Sequence, residues 1–176
     1  MVKKPILIAY ATRAGSTKEV AQSIAESLIE HGARVDVQPV EAIATLTTFE
    51  SYSAVFLGSA IRAGHWLPEA VKFVKHHKAD LEKLPIVYFL VCATMREDTP
   101  KHHYEVLAYL KPVRAIVEPL EMGLFAGKLD TAKLGFFAKL VVKAMRSEQG
   151  DWRDWEAIHD WAGKIYAQLE HNDVAP

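Results

Sequence analysis

The stretch Thr12-Arg13-Ala14-Gly15-Ser16-Thr17 lies between a short apolar run and an amphipathic pattern, and that placement restricts the fold more than any other feature. Ile6-Leu7-Ile8-Ala9-Tyr10 has the length and composition of a buried strand. From Thr17 onward, Val20, Ala21, Ile24, Ala25 and Leu28 recur every three or four residues, as on one face of a helix. A turn from strand into helix gathers several unpaired N–H groups, and the helix dipole adds a partial positive charge there. Gly15 lets the backbone close in, and Thr12, Ser16 and Thr17 offer hydroxyl donors. The turn is suited to hold a phosphate.

The type of phosphate is narrowed by what the turn lacks. There is no Gly-Lys-Ser/Thr for a Walker loop, and a single glycine cannot make the dinucleotide fingerprint. Tyr10, Ala11 and Thr12 stand where a receiver domain would carry acidic residues. A flavin mononucleotide loop remains, with the phosphate held by neutral hydroxyls and backbone amides. The pattern Tyr10-x-Thr12-x-x-Gly15-x-Thr17-x-x-x-Ala21-x-x-Ile24 resembles the flavodoxin signature, with Ala9 a smaller residue than is usual and Arg13 an added charge. An ordinary N-capped helix following a strand is the alternative.

The 176 residues suffice for one α/β domain with a proper core. A formal charge of −1 gives no long-range field for nucleic acid, and it weighs against a dedicated, strongly acidic electron carrier. Cys92 is the only cysteine, so no intramolecular disulfide can form. The apolar run after Lys4 is too short for a signal core, and nothing approaches the ~20 apolar residues needed to cross a bilayer. A cytoplasmic location is expected, with peripheral contact at the inner face of the cell membrane left open.

Further along, the pattern predicts a first helix ending near Gly32, a second strand at Val35-Asp36-Val37 and a third strand from Ala54 that stops at Gly58. A helix opens at Pro68, a doubly buried strand runs from Ile86 to Ala93, and a helix covers Pro100 to Leu110. A fifth strand is expected from Ala115 to Met122, and a last helix from Asp154 to Leu169 with Trp155, Ile158, Trp161, Ile165 and Leu169 as its core stripe. Strands alternating with helices imply a flavodoxin-like, doubly wound, five-stranded parallel sheet with helices on both faces. Ligands of such sheets sit at the carboxyl ends of the strands, which selects the loops after Tyr10, Gly58 and Cys92.

The second of these loops supplies Ser59, Ala60, Ile61, Arg62, Gly64, His65 and Trp66 as candidate flavin contacts. Trp66 could stack on an isoalloxazine ring or pack on the next helix, and Arg62 or His65 could tune the reduced flavin. The third loop supplies Ala93, Thr94 and Met95, with Met95 a candidate cover for the ring; Cys92 reads as a buried strand residue rather than a redox thiol. His76-His77 and His102-His103 have no completing ligands, so no metal is expected.

Residues 124–153 are far more than a strand-to-helix connection needs. Within them, Leu134 to Arg146 reads as a helix with Lys139, Lys143 and Arg146 on one face and Phe136, Phe137, Leu140, Val141 and Ala144 as a broad apolar surface. Such a helix can lie on a membrane, wall a greasy site, or simply cap the sheet. The phosphate loop, Gly58-Ser59-Ala60-Ile61-Arg62-x-Gly64-His65, Phe125-Ala126-Gly127, Lys139-Leu140-x-x-Lys143 and Asp154-Trp155-Glu156 resemble, in this order, the flavodoxin-type menaquinone-dependent protoporphyrinogen oxidases. That resemblance implies an FMN enzyme taking electrons from a porphyrinogen and passing them to a quinone. An electron-transfer flavodoxin serving a redox protein, and a flavin-free interaction module of the same fold, are the competing readings.

Overall fold

The computed structural model describes residues 3–129 and 149–174. Five parallel strands form its centre in the order β2-β1-β3-β5-β6: β1 (Ile6–Ala11), β2 (Val35–Pro39), β3 (Ala54–Arg62), β5 (Ile86–Cys92) and β6 (Glu121–Ala126). All residues of β1 and β5 are buried, as expected for strands covered on both faces. On one face α1 (Ser16–Glu30) and α5 (Trp155–Val174) cover Ile6, Ile8, Phe56, Val87 and Phe89. On the other, α2 (Pro68–His76) and α4 (Pro100–Arg114) cover Leu7, Val55, Leu57, Tyr88 and Leu90. Short α3 (Lys78–Leu81) follows α2. This is the flavodoxin-like doubly wound architecture expected from the strand–helix alternation.

Two boundaries and one core position differ from the sequence pattern, each for a local reason. β3 does not stop at Gly58 but continues to Arg62 and turns back as β4 (His65–Trp66), antiparallel to it. Gly58 is there because of its neighbour: it pairs in register with Phe89, and a Cβ built on it would lie 2.0 Å from the Phe89 ring. The glycine makes room rather than ending the strand. The fifth parallel strand is Glu121–Ala126, not Ala115 to Met122, because α4 runs on to Arg114 with Pro112 in its last turn. The apolar run beyond it is a connection in which Ala115 is exposed and Val117 buried, the Val117 carbonyl accepting a hydrogen bond from the Tyr88 hydroxyl at 2.9 Å. Finally, Trp155 does not join the core stripe of the last helix: it is 41% exposed, with the Arg153 guanidinium 4.3 Å above its ring. Ala162 and Tyr166 are buried in that helix instead.

The predicted helix from Leu134 to Arg146 lies outside the described residues. What the structure does show is the base of the 124–153 segment, where β7 (Lys128–Leu129) pairs antiparallel with β8 (Gly150–Asp151). Among the described residues no helix is long and apolar enough to cross a membrane.

Gly58→Ala should cost about 2 kcal/mol in urea unfolding, because the fully buried Phe89 has nowhere to move. Most of that loss should return in Gly58→Ala/Phe89→Leu; an unchanged midpoint in the single variant would contradict the packing.

His77 supplies a pH-dependent term. It is 4% exposed between the rings of Phe49 and Phe73, at centroid distances of 5.1 and 4.6 Å, and its Nε2 has no partner among the described residues. Burial, reinforced by neighbouring His76, holds its pKa below the usual 6.5, with Asp80 opposing. The unfolded chain therefore binds the proton more readily, and stability falls as pH drops below 6.5 toward the folded-state value. His77→Leu should lose less stability than the parent between pH 7 and about pH 5 in urea titrations; equal losses would show that another group carries the effect.

Candidate functional site

The carboxyl ends of β1, β3 and β5 converge at one edge of the sheet, and their connections bring the predicted site residues together. The first connection runs straight from β1 into α1. Gly15 takes the N-cap position at φ 90°, a left-handed value that favours glycine, and no side chain caps the helix. The first-turn N–H groups of α1 thus keep their outward donor capacity. Thr12 Oγ1 accepts from the Gly15 N–H at 3.1 Å, holding the turn closed. Ser16 Oγ accepts from the Lys128 N–H at 3.1 Å and keeps its own proton to donate. Thr17 is fully buried, and its Oγ1 has no hydrogen-bond partner among the described residues. A buried hydroxyl left unpaired is costly, and an anion seated on the turn would give it an acceptor.

Arg13 and Ala14 complete the turn. Arg13 reaches away toward α2, where its guanidinium grips Glu69 in a two-pronged ion pair, one prong at 3.1 Å. Its charge is therefore matched rather than simply added beside an anion. Its side chain is 52% exposed, so the pair contributes little to stability.

The second connection is a hairpin. Ala63 and Gly64 form a two-residue turn with φ of 49° and 75°, the positive values that a turn of this hand requires. Arg62 and His65 are paired in register on either side of it, and both are exposed, with Ala60 and Ile61 half-buried. Two predicted contacts point elsewhere. Trp66 is 4% exposed and packs edge-on against Tyr88 at 5.1 Å between centroids, so its ring is engaged in the core and presents no stacking face. Ser59 is fully buried; its hydroxyl donates to the Ala60 carbonyl at 2.8 Å and accepts from the Leu67 N–H at 3.0 Å, fastening the hairpin to the start of α2. The third connection is a single 3₁₀ turn, Ala93–Arg96. Ala93 is exposed and Thr94 half-buried, but Met95 is 7% exposed within the core cluster and covers no surface ring. Cys92 is buried, and burial pushes its thiol pKa up, the opposite of what a reactive thiolate needs.

The profile of the flavodoxin domain matches residues 7–155. The chain belongs to the flavodoxin domain family. It is 27% identical over 171 residues to a protoporphyrinogen IX dehydrogenase [quinone] of Escherichia coli strain K12, covering 90% of this chain and 93% of the relative. A protein of the same name from Leishmania major is 26% identical over 174 residues, covering 92% and 74% respectively. Among solved structures, a WrbA-like flavodoxin protein from Agrobacterium tumefaciens superposes with a TM-score of 0.60 at 11% identity, over 96% of this chain and 99% of that one. An archaeal flavodoxin gives 0.57 at 14% identity, over 95% and 99%. These structural likenesses establish the fold, whose ligands bind where the three connections meet.

Two features of this edge have no counterpart in the site residues expected from the sequence. The chain leaving β6 crosses the β1–α1 turn: the Gly127 N–H donates to the Cys92 carbonyl at 3.2 Å, and the next N–H, of Lys128, reaches Ser16. Arg153, whose side chain is only 3% exposed, holds both Asp151 in β8 and Glu19 in the first turn of α1. No local spacing reveals a contact between residues 134 positions apart.

Replacing Thr17 separates fold from ligand. Thr17→Val should leave the ligand-free protein about 1 kcal/mol more stable, since it removes a buried hydroxyl without a partner. It should also weaken any phosphate-bearing ligand by about tenfold or more. Thermal melts with and without ligand check both signs, and destabilisation of the ligand-free form would disprove the account.

Proposed function

We propose that this chain is an FMN-dependent oxidoreductase that takes electrons from a porphyrinogen and delivers them to a quinone. The observation that carries the cofactor is the turn between β1 and α1, where buried Thr17 lacks a partner among the described residues, Ser16 has a proton to donate and α1 opens without a side-chain cap. The FMN phosphate carries about two negative charges, needs several donors and is favoured by a helix N-terminus. Thr12, Gly15, Ser16 and Thr17 hold it in this reading, with Arg13 and Ala14 shaping the turn. The hairpin residues Ala60, Ile61, Arg62, Gly64 and His65 border the ring on one side, and Ala93 and Thr94 on the other. Trp66, Ser59 and Met95 support these walls from the core.

When bound, FMN supplies reversible two-electron chemistry. The chain supplies position and charge. Arg62 and His65 are exposed side by side at the hairpin, where a cation can stabilise negative charge arising on the ring. Each pair of electrons and protons removed from the porphyrinogen converts one quinone to its quinol. Support for this substrate pair comes from the names of the relatives, which align over nine-tenths of the chain. The formal charge of −1 supports small-molecule redox over carriage between proteins.

Two measurements test the reading in sequence. Anaerobic titration of FMN fluorescence should show quenching by the protein at about micromolar concentration or below; no quenching would end the cofactor assignment. The loaded protein should then oxidise protoporphyrinogen IX with a menaquinone analogue as acceptor. Arg62→Ala/His65→Ala should keep FMN bound, shift its midpoint potential and slow turnover. Flavin binding without turnover would leave electron transfer between proteins as the function.

A further inference from the structure

Glu19 creates an electrostatic problem at this site. It lies in the first turn of α1, two residues beyond Thr17, where a carboxylate draws on the same positive helix end that a phosphate would use. Acidic residues there normally stabilise a helix; next to a bound dianion the like charges repel. The structure contains a counterweight. The Arg153 guanidinium donates through Nη1 to Glu19, while Nε and Nη2 engage Asp151, the Nε contact at 2.7 Å. Its carbon lies 4.3 Å above the Trp155 ring, and the side chain is 97% buried by the 3% exposure that remains. Burying an arginine so fully is costly unless its charge is matched, and here two carboxylates and an aromatic face match it.

The same arginine joins the phosphate turn to the base of the 124–153 segment. Asp151 belongs to β8, β8 pairs with β7, and the N–H of Lys128 in β7 reaches Ser16 Oγ in the turn. The Arg153 backbone N–H also donates to Asp151 Oδ1 at 3.3 Å, fixing the guanidinium's own chain to its partner.

We propose that Arg153 is a positioning residue for the cofactor phosphate: it neutralises and orients Glu19, so that the N-terminus of α1 is available to a dianion. This rests on the FMN reading of the site. Arg153 acts through Glu19, and it confers preference for a phosphorylated flavin over an unphosphorylated one without itself touching the phosphate.

The test compares the dissociation constants of FMN and riboflavin, which differ by the phosphate alone, in the full chain. The parent should prefer FMN, and Arg153→Met should reduce the FMN-to-riboflavin preference by about tenfold. Glu19→Gln alone should raise the preference, because the guanidinium then has one carboxylate fewer to answer. Arg153→Met/Glu19→Gln should recover most of the preference lost in the single variant. Equal weakening of both flavins by Arg153→Met, or no recovery in the double variant, would overturn the proposal, since a purely structural arginine would act that way. Should Arg153→Met fail to fold, Glu19→Gln decides alone: an unchanged or lower preference rejects the role. A parent that binds both flavins equally would instead reject the phosphate turn itself, and binding of neither would reject the flavin reading.

Discussion

Everything at the carboxyl edge depends on the direct passage from a fully buried strand into an uncapped helix. β1 is held on both sides, by β2 and β3, so its end has a fixed position and direction. Only four residues, Thr12 to Gly15, the last at positive φ, separate that rigid end from the first helical residue. A longer connection would let the helix end wander; a side-chain cap would occupy the donors. The residues around it are then ordered outward from this junction: Thr12 closes the turn, Ser16 ties it to the start of β7, and Arg153, just beyond β8, reaches its helix.

The fold was largely legible because its signals were local. The five-residue apolar run at Ile6, the 3.6-residue period after Thr17 and the continuous run after Pro85 each reflect burial geometry within one element. Errors arose where one residue type answers two demands. Gly58 resembled a stop, yet its missing side chain accommodates a ring on the neighbouring strand. Ala115-Ile116-Val117 resembled a strand because it is apolar and ends in buried Val117, although its backbone belongs to a connection. Burial leaves an apolar signature whatever the backbone does.

The candidate site was legible to a smaller extent. The turn between β1 and α1 could be read as a turn rich in donors because its glycine and hydroxyls are contiguous. The orientation of Trp66 and Met95 was not legible, because an aromatic or soft side chain in a loop looks alike whether it faces outward or turns back into the core, where the structure packs them against Tyr88 and in the core cluster. Arg153 could not be found from spacing at all, since its partner Glu19 lies at the other end of the chain.

The two-residue ladder between β7 and β8 has a consequence for how this fold can change. It pairs Leu129 with Gly150 and Lys128 with Asp151, so the chain on the two sides of the intervening stretch is pinned in register. The entropy of closing such a loop grows only logarithmically with its length, about 0.6 kcal/mol for each doubling. Relatives can therefore lengthen, shorten or replace that excursion at small thermodynamic cost while the junction beneath it stays in register. The ladder thus makes the register of the junction independent of the length of chain that it closes.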